Sequence, residues 1–331
     1  MKKLTPAIIT LCISLMAPLS ASAADPDIRR TADGKPDLQG IWSNATQTPL
    51  QRPAEFGNIG FLTLDQKEAQ EARWRQVISN RAQPSDPDRE APNAGRNVGG
   101  YNNFWVDRGT DVIEINGEYR TSIIVDPADG QIPYVENWRG KDLRSQLRTL
   151  PGVEPFDGPE LRPLGERCLL AFGSSSGPPM MPVMYNNNYQ IVQTPDYVMI
   201  LVEMVHDVRI IRIDDEHRTR LAKWMGDSIG HWEGDTLVVE TVGLHPYQSR
   251  WGLTENTKVT ERFDMLSGNK IRYTFTLEDP AAYRRPWTGE ITMHRRPEGS
   301  GMYEYACHEG NYALPGILGG ARRLEAEPGS N

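Results

Sequence analysis

Most short catalytic signatures are missing from this sequence. It contains no H-E-x-x-H, C-x-x-C, P-loop or G-x-G-x-x-G string. Gly173-Ser174-Ser175-Ser176-Gly177 reads as a flexible loop rather than a nucleophile elbow. No nucleotide, haem or other cofactor motif is evident. Cysteine is scarce, at three residues, and beyond residue 23 no apolar run is long enough to span a bilayer. The net charge is −8 and no basic tail is present, which argues against nucleic-acid binding.

The first 23 residues read as an export signal. Lys2-Lys3 precede an apolar stretch at 4–19, and Ala21-Ser22-Ala23 has the A-x-A form of a cleavage site. Cys12 lies inside the apolar run, so a lipoprotein anchor is not indicated. Cleavage near Ala23 would deliver a mature protein to the periplasm or the medium. Cys168 and Cys307 then remain, and in an oxidising compartment a pair suggests one disulfide, with two buried free thiols as the alternative. The mature chain is at the upper end of one domain, so 24–331 is expected to be one structural unit.

What is present is a succession of short strands. Residues 189–213 (YQIVQTPDYVMILVEMVHDVRII, with its flanks) alternate apolar residues around the Thr194-Pro195-Asp196 turn. Asn116-Gly117, Glu233-Gly234-Asp235 and Ser267-Gly268-Asn269 each divide two strand-like runs, the mark of hairpins. Helices do not alternate with strands, so a parallel α/β sheet is not expected. The pattern predicts a mainly β fold, an antiparallel meander closed into a barrel at 111–331, with a β-sandwich as the alternative. Residues 24–110 read as an N-terminal extended segment packing on the barrel. It carries a helix over 64–81 behind a Thr63 capping box, and a long Pro/Gly-containing loop at 83–100. Residues 137–150 read as a basic helix presenting Arg139, Lys141, Arg144 and Arg148 to solvent.

Three histidines lie in strand-like, apolar contexts: His206, His231 and His308. His206 follows Glu203 and precedes Asp207, while His308 precedes Glu309 and follows Cys307. An imidazole beside a carboxylate is suited to proton transfer near neutral pH. One expectation is therefore an enzyme of lyase, isomerase or hydrolase type for a small ring-containing or hydroxylated molecule. His206 would be oriented by Glu203 or Asp207 and opposed by His308 and Glu309. The three histidines together would alternatively hold a divalent metal, or each would be a hydrogen-bonded structural residue. Tyr101, Asn103 and Trp105, in an aromatic–amide run, together with Asn187 and His231, are candidate substrate contacts. Arg209 would pair with Glu203 or clamp an anionic substrate. The competing expectation is a binding protein for a hydrophobic or aromatic molecule, without turnover.

Several segments resemble a family of secreted bacterial proteins without an established activity. They are GGYNNFW at 99–105, ERCL at 166–169, YNNNYQIVQTPDYVMI at 185–200, EMVHDVRII at 203–211, GDSIGHWEGDTLVVET at 226–241 and YEYACHEGNY at 303–312. The resemblance implies one domain and the Cys168/Cys307 pair, and no activity. It departs at Asp214-Asp215-Glu216-His217, where Asp-Gly-Arg-Pro-His is expected, so His217 is assigned no role. Separately, Gly40-Ile41-Trp42 is similar to the G-x-W of lipocalin and calycin barrels, a likeness of architecture alone.

Overall fold

The computed structural model describes residues 27–83, 88, 90, 106–140, 142–171, 176–218, 222–248 and 250–327. The leader with its cleavage site, and Tyr101, Asn103 and Trp105, lie outside the described residues. In chain order the elements are β1 (Gly40–Ser43), β2 (Phe61–Leu62), α1 (Leu64–Arg81), β3 (Glu114–Ile115), β4 (Glu118–Arg120), β5 (Ile124–Asp126), α2 (Leu143–Leu147), β6 (Asn188–Gln193), β7 (Tyr197–Val202), β8 (Val208–Ile213), β9 (Asp227–Glu233), β10 (Thr236–Val242), β11 (Lys258–Ser267), β12 (Lys270–Glu278), β13 (Trp287–Arg295) and α3 (Ala313–Ala326).

β6 to β13 pair in sequence order, and β1 closes the ring by pairing with both β6 and β13. The result is a mainly β, closed nine-stranded barrel, not a sandwich. The N-terminal segment thus supplies a stave at 40–43, while β2, β4 and β3 form a small separate sheet. A closed ring with an odd number of strands cannot be antiparallel throughout. The necessary parallel pair is β8–β9, where Ile211 pairs with Ser228. Residues 214–226 join the two, about the dozen residues that a parallel crossover requires.

Alternation along the strands fills the barrel. On β12, Ile271, Tyr273, Phe275 and Leu277 point inward, and Trp287, Ile291 and Met293 do so on β13. Trp42, Tyr189, Ile200, Val239 and Phe263 are buried among them. Phe275 lies over Gly289 directly across the strand pair, and a Cβ there would collide with its ring. The lumen is therefore a packed core, and the likeness to ligand-filled barrels does not extend to an interior binding cavity. Trp42 Nε1 donates to Leu38 O at 2.8 Å, and the Arg295 guanidinium stacks 4.1 Å from the Trp42 ring.

One ion pair crosses this core. Arg209 donates to both Glu261 oxygens, at 2.9 and 2.5 Å, and Tyr273 Oη donates to Glu261 Oε1 at 2.6 Å. Burial disfavours the Arg209 cation, but Glu261 more than offsets it, and the guanidinium pKa rises. Burial, then the Glu261 charge, push the Tyr273 hydroxyl well up, so it stays a donor. This corrects the expectation that Arg209 pairs with Glu203 or reaches a substrate. Glu261 shares the inward face of β11 with Val259 and Phe263, which makes it the partner.

α1 begins at the expected capping box, with Gln66 N donating to Thr63 Oγ1. The basic stretch differs from expectation. Asn137 and Gly140 adopt positive φ, which ends any helix there, and only α2 is helical. The Cys168–Cys307 disulfide is formed, with Cα atoms 5.7 Å apart. Among the described residues, no helix is long and apolar enough to cross a membrane.

Candidate functional site

The candidate site forms where β7 turns into β8. Val202 N donates to Asp207 O at 2.8 Å, closing a tight turn through 203–206. To make it, Val205 and His206 take φ of 64° and 46°. For a β-branched residue such as Val205 this is a strained conformation, costing roughly 1–3 kcal/mol. Cys168 and Asn186, both at φ 54°, are held in the same left-handed region nearby. Strain of this kind persists only where surrounding contacts enforce it.

Three ties supply that enforcement. Glu203, buried at the strand end, accepts from Asn188 Nδ2 at 2.7 Å and from Tyr303 N at 3.0 Å. The disulfide joins the 163–170 loop to the 303–312 segment. Asn311 Nδ2 donates to Glu166 O at 2.8 Å. Between them lies a cleft of about 570 Å³, walled by Tyr185, Asn186, Tyr303, Glu304, Tyr305 and Asn311, with the disulfide in its side. Met204 and Val205 lie beneath it, packed with Tyr185, Tyr305 and Cys307. Burial, and then Tyr185, raise the Tyr305 hydroxyl to about 12, so it is a neutral donor. Tyr303 is 76% exposed and offers its ring to solvent.

The other expected residues fall in different places. His206 is exposed and directly follows Val205; His308 and Glu309 are exposed and directly follow Cys307. Asp207 accepts from Ser176 Oγ at 2.5 Å, and Ser176 Oγ in turn accepts from Ala171 N at 3.1 Å. Burial raises the Asp207 carboxyl to about 6, outweighing the Ser176 hydrogen bond. Asn187 is buried, with its amide used on Asp107 O, Val183 O and Val183 N. Arg209 is in the barrel core. His231 is on the outer wall of β9, 3.2 Å from Glu233. Among the described residues, no three His, Cys, Asp or Glu side chains converge to hold a metal ion, and His206, His231 and His308 do not form such a group.

The cleft tyrosines were not anticipated. The signal was Tyr303-Glu304-Tyr305 immediately before Cys307, an aromatic and acidic run fixed by a disulfide. His217 also has more contacts than its sequence suggested: it bridges Asp227, at 3.1 Å, and Glu240, at 3.4 Å. With Arg212 and Lys223 it surrounds buried Asp227, whose carboxyl they hold well below the usual range despite burial. Comparison of the chain with protein-family models and with curated proteins finds no match, and so lends no support to the family resemblance.

Proposed function

We propose that the tyrosine cleft takes up a small ring-bearing, hydroxylated molecule, and that the protein acts on it by proton transfer through His206 and His308. The observation that carries this reading is the composition of the cleft. Three tyrosine rings face Asn186, Asn311 and Glu304 on a backbone braced by a disulfide and by Glu203. Tyrosine rings stack on ligand rings, and amides and carboxylates match hydroxyl groups. A braced wall loses little entropy on binding. The exposed imidazoles adjoin cleft residues in the chain and supply a proton donor and acceptor. The setting is a periplasmic or secreted protein whose leader is removed near Ala23.

One observation favours binding without turnover. Glu203 bonds Asn188 and Tyr303, and Asp207 bonds Ser176; among the described residues neither carboxylate hydrogen-bonds the His206 ring.

The test is titration with phenol, catechol and glucose, followed by tyrosine fluorescence and NMR, in the native protein and in Tyr303→Ala and Tyr305→Ala. At least one probe should bind, with a tenfold or greater loss in each variant, about 1.4 kcal/mol. Equal affinity in both variants would remove the cleft as the site. If a bound probe is converted, His206→Ala or His308→Ala should bind it but stop conversion. Conversion that survives both changes would remove the histidines from the chemistry.

A further inference from the structure

A second cavity, of about 410 Å³, adjoins the tyrosine cleft, and Gly165 contributes to the walls of both. Arg144 and Arg250 line it, together with Ser176, Tyr247, Trp251 and Leu253. The Arg167 guanidinium lies 5.8 Å from the centre of the Tyr247 ring. Its charge reaches the same wall: His245, stacked between Trp224 and Tyr247, is held below the usual imidazole value by burial and then by Arg167. Two arginines therefore line the cavity, and a third packs on its wall.

Among the described residues, no carboxylate lines the cavity. Several other arginines of this acidic protein sit on carboxylates, as in Arg120–Glu290, Arg162–Glu166 and Arg212–Asp227, while Arg52 and Arg295 donate to carbonyl or hydroxyl oxygens. Among the described residues, Arg144, Arg167 and Arg250 have no such partner. Arg144 Nε and Arg167 Nη1 are buried donors without an acceptor. Arg250 is open to solvent along part of its length, yet its pKa is lowered, by burial first and then by the Arg144 charge. Ser176, in the cavity wall, donates to the Asp207 carboxyl; Glu166 is paired with Arg162, and Asp142 caps α2. Unpaired, partly desolvated guanidinium groups are costly, and an oxyanion that accepts their forked N–H donors removes that cost. Tyr247, Trp251, Leu170 and Leu253 supply an apolar side, so the fitting ligand is more than a bare ion.

We propose that this cavity is a binding site for a small oxyanion, a carboxylate or phosphate group carried on an apolar or aromatic body. The site is separate from the tyrosine cleft and does not depend on that cleft's function.

Calorimetric titration with phenyl phosphate, benzoate and inorganic phosphate, with benzyl alcohol as the neutral counterpart, tests it. At least one aromatic anion should bind ten or more times tighter than benzyl alcohol, and its affinity should fall as salt is raised from 50 to about 300 mM. Arg144→Gln and Arg250→Gln should each weaken it at least tenfold, and Arg250→Lys less than Arg250→Gln. Both arginines lie near the surface, so the fold should persist, as circular dichroism would confirm. Phenyl phosphate and benzoate distinguish the two head groups. The proposal is overturned if no anion binds, if benzyl alcohol binds as well, or if both glutamine variants keep the native affinity. Tyr303→Ala should leave anion affinity unchanged. A matching loss there would place the anion in the tyrosine cleft and overturn the second site.

Discussion

Inside the barrel, Arg209 faces Glu261 through two N–H···O bonds, and Tyr273 completes the carboxylate's shell. At the barrel end, Arg144 and Arg250 line a cavity without an acid among its described lining residues, and Arg167 packs on Tyr247 in its wall. The two regions hold similar charges under different constraints: Arg209 is buried, whereas Arg144 is half-buried and Arg250 exposed. The lumen is packed with apolar side chains, so a charge persists there only with its partner in place. The end is built of loops held by a disulfide and by Glu203, and it keeps strained φ angles and unmatched cations. The barrel's packing supplies the stability that allows the end to remain unsatisfied, which is where recognition is expected.

The comparison breaks most severely if the core ion pair is dispensable. Glu261→Gln leaves Arg209 buried beside a neutral amide. Denaturant unfolding should show a loss of about 3–5 kcal/mol, a large share of a typical domain's stability. Combining Arg209→Met with Glu261→Leu should recover part of that loss, because the orphaned charge goes with its partner. A single variant as stable as the native protein would mean that the lumen admits water, and the contrast between body and end would fail.

The barrel body was largely legible in the sequence, because period-two alternation and turn chemistry are local. The turns at Asn116-Gly117, Thr194-Pro195-Asp196 and Ser267-Gly268-Asn269 fall between the expected strands. The carboxylate that pairs with Arg209 is signalled locally, since the spacing of Glu261 from Val259 and Phe263 places it on the apolar face of β11. The parallel β8–β9 pair was not foreseen, since parity appears only once β1 is known to close the ring. The end was poorly legible for a different reason. Arg144 comes from α2, Arg167 and Arg250 from two separate segments far along the chain, and Tyr185 meets Tyr303 and Tyr305 only after the chain has circled the barrel. Local pattern carries no information about such meetings. Arg144 reads as part of a solvated helix face; it is helical in α2, but its side chain lines the cavity, which only the fold shows.

A smaller effect, of opposite sign, belongs to Asp207. Its carboxyl is raised to about 6 in the folded protein, above its ordinary 3.8, by burial. The native state thus holds this proton more tightly than the unfolded chain does. The resulting stabilisation is complete below pH 4 and is lost as the pH rises through 6. Asp207→Asn, neutral at every pH, should match the native protein near pH 4. At pH 7 it should be more stable by roughly 1–2 kcal/mol, allowing for partial solvent screening. Melting curves at the two pH values check this. A variant less stable at pH 7 would mean that the ionised carboxylate is needed at the end of the barrel, and that the unmatched arginines are closer to compensation than their contacts indicate.

The smallest expected effect is the sharpest test of where function resides. His231 belongs by sequence with His206 and His308, but β9 places it on the outer barrel wall, where it pairs with Glu233 in solvent. Exposed substitutions away from packed or hydrogen-bonded networks change stability little. His231→Ala should therefore leave the melting temperature, phenol or catechol affinity, and any turnover as they are in the native protein. His206→Ala, at the strained turn beneath the tyrosine cleft, should retain binding and remove turnover. Equal losses from both changes would show that strand-borne histidines act together irrespective of where the fold puts them, which a rigid barrel wall does not permit. A loss confined to His206 would locate the chemistry at the end of the barrel, where the backbone is strained.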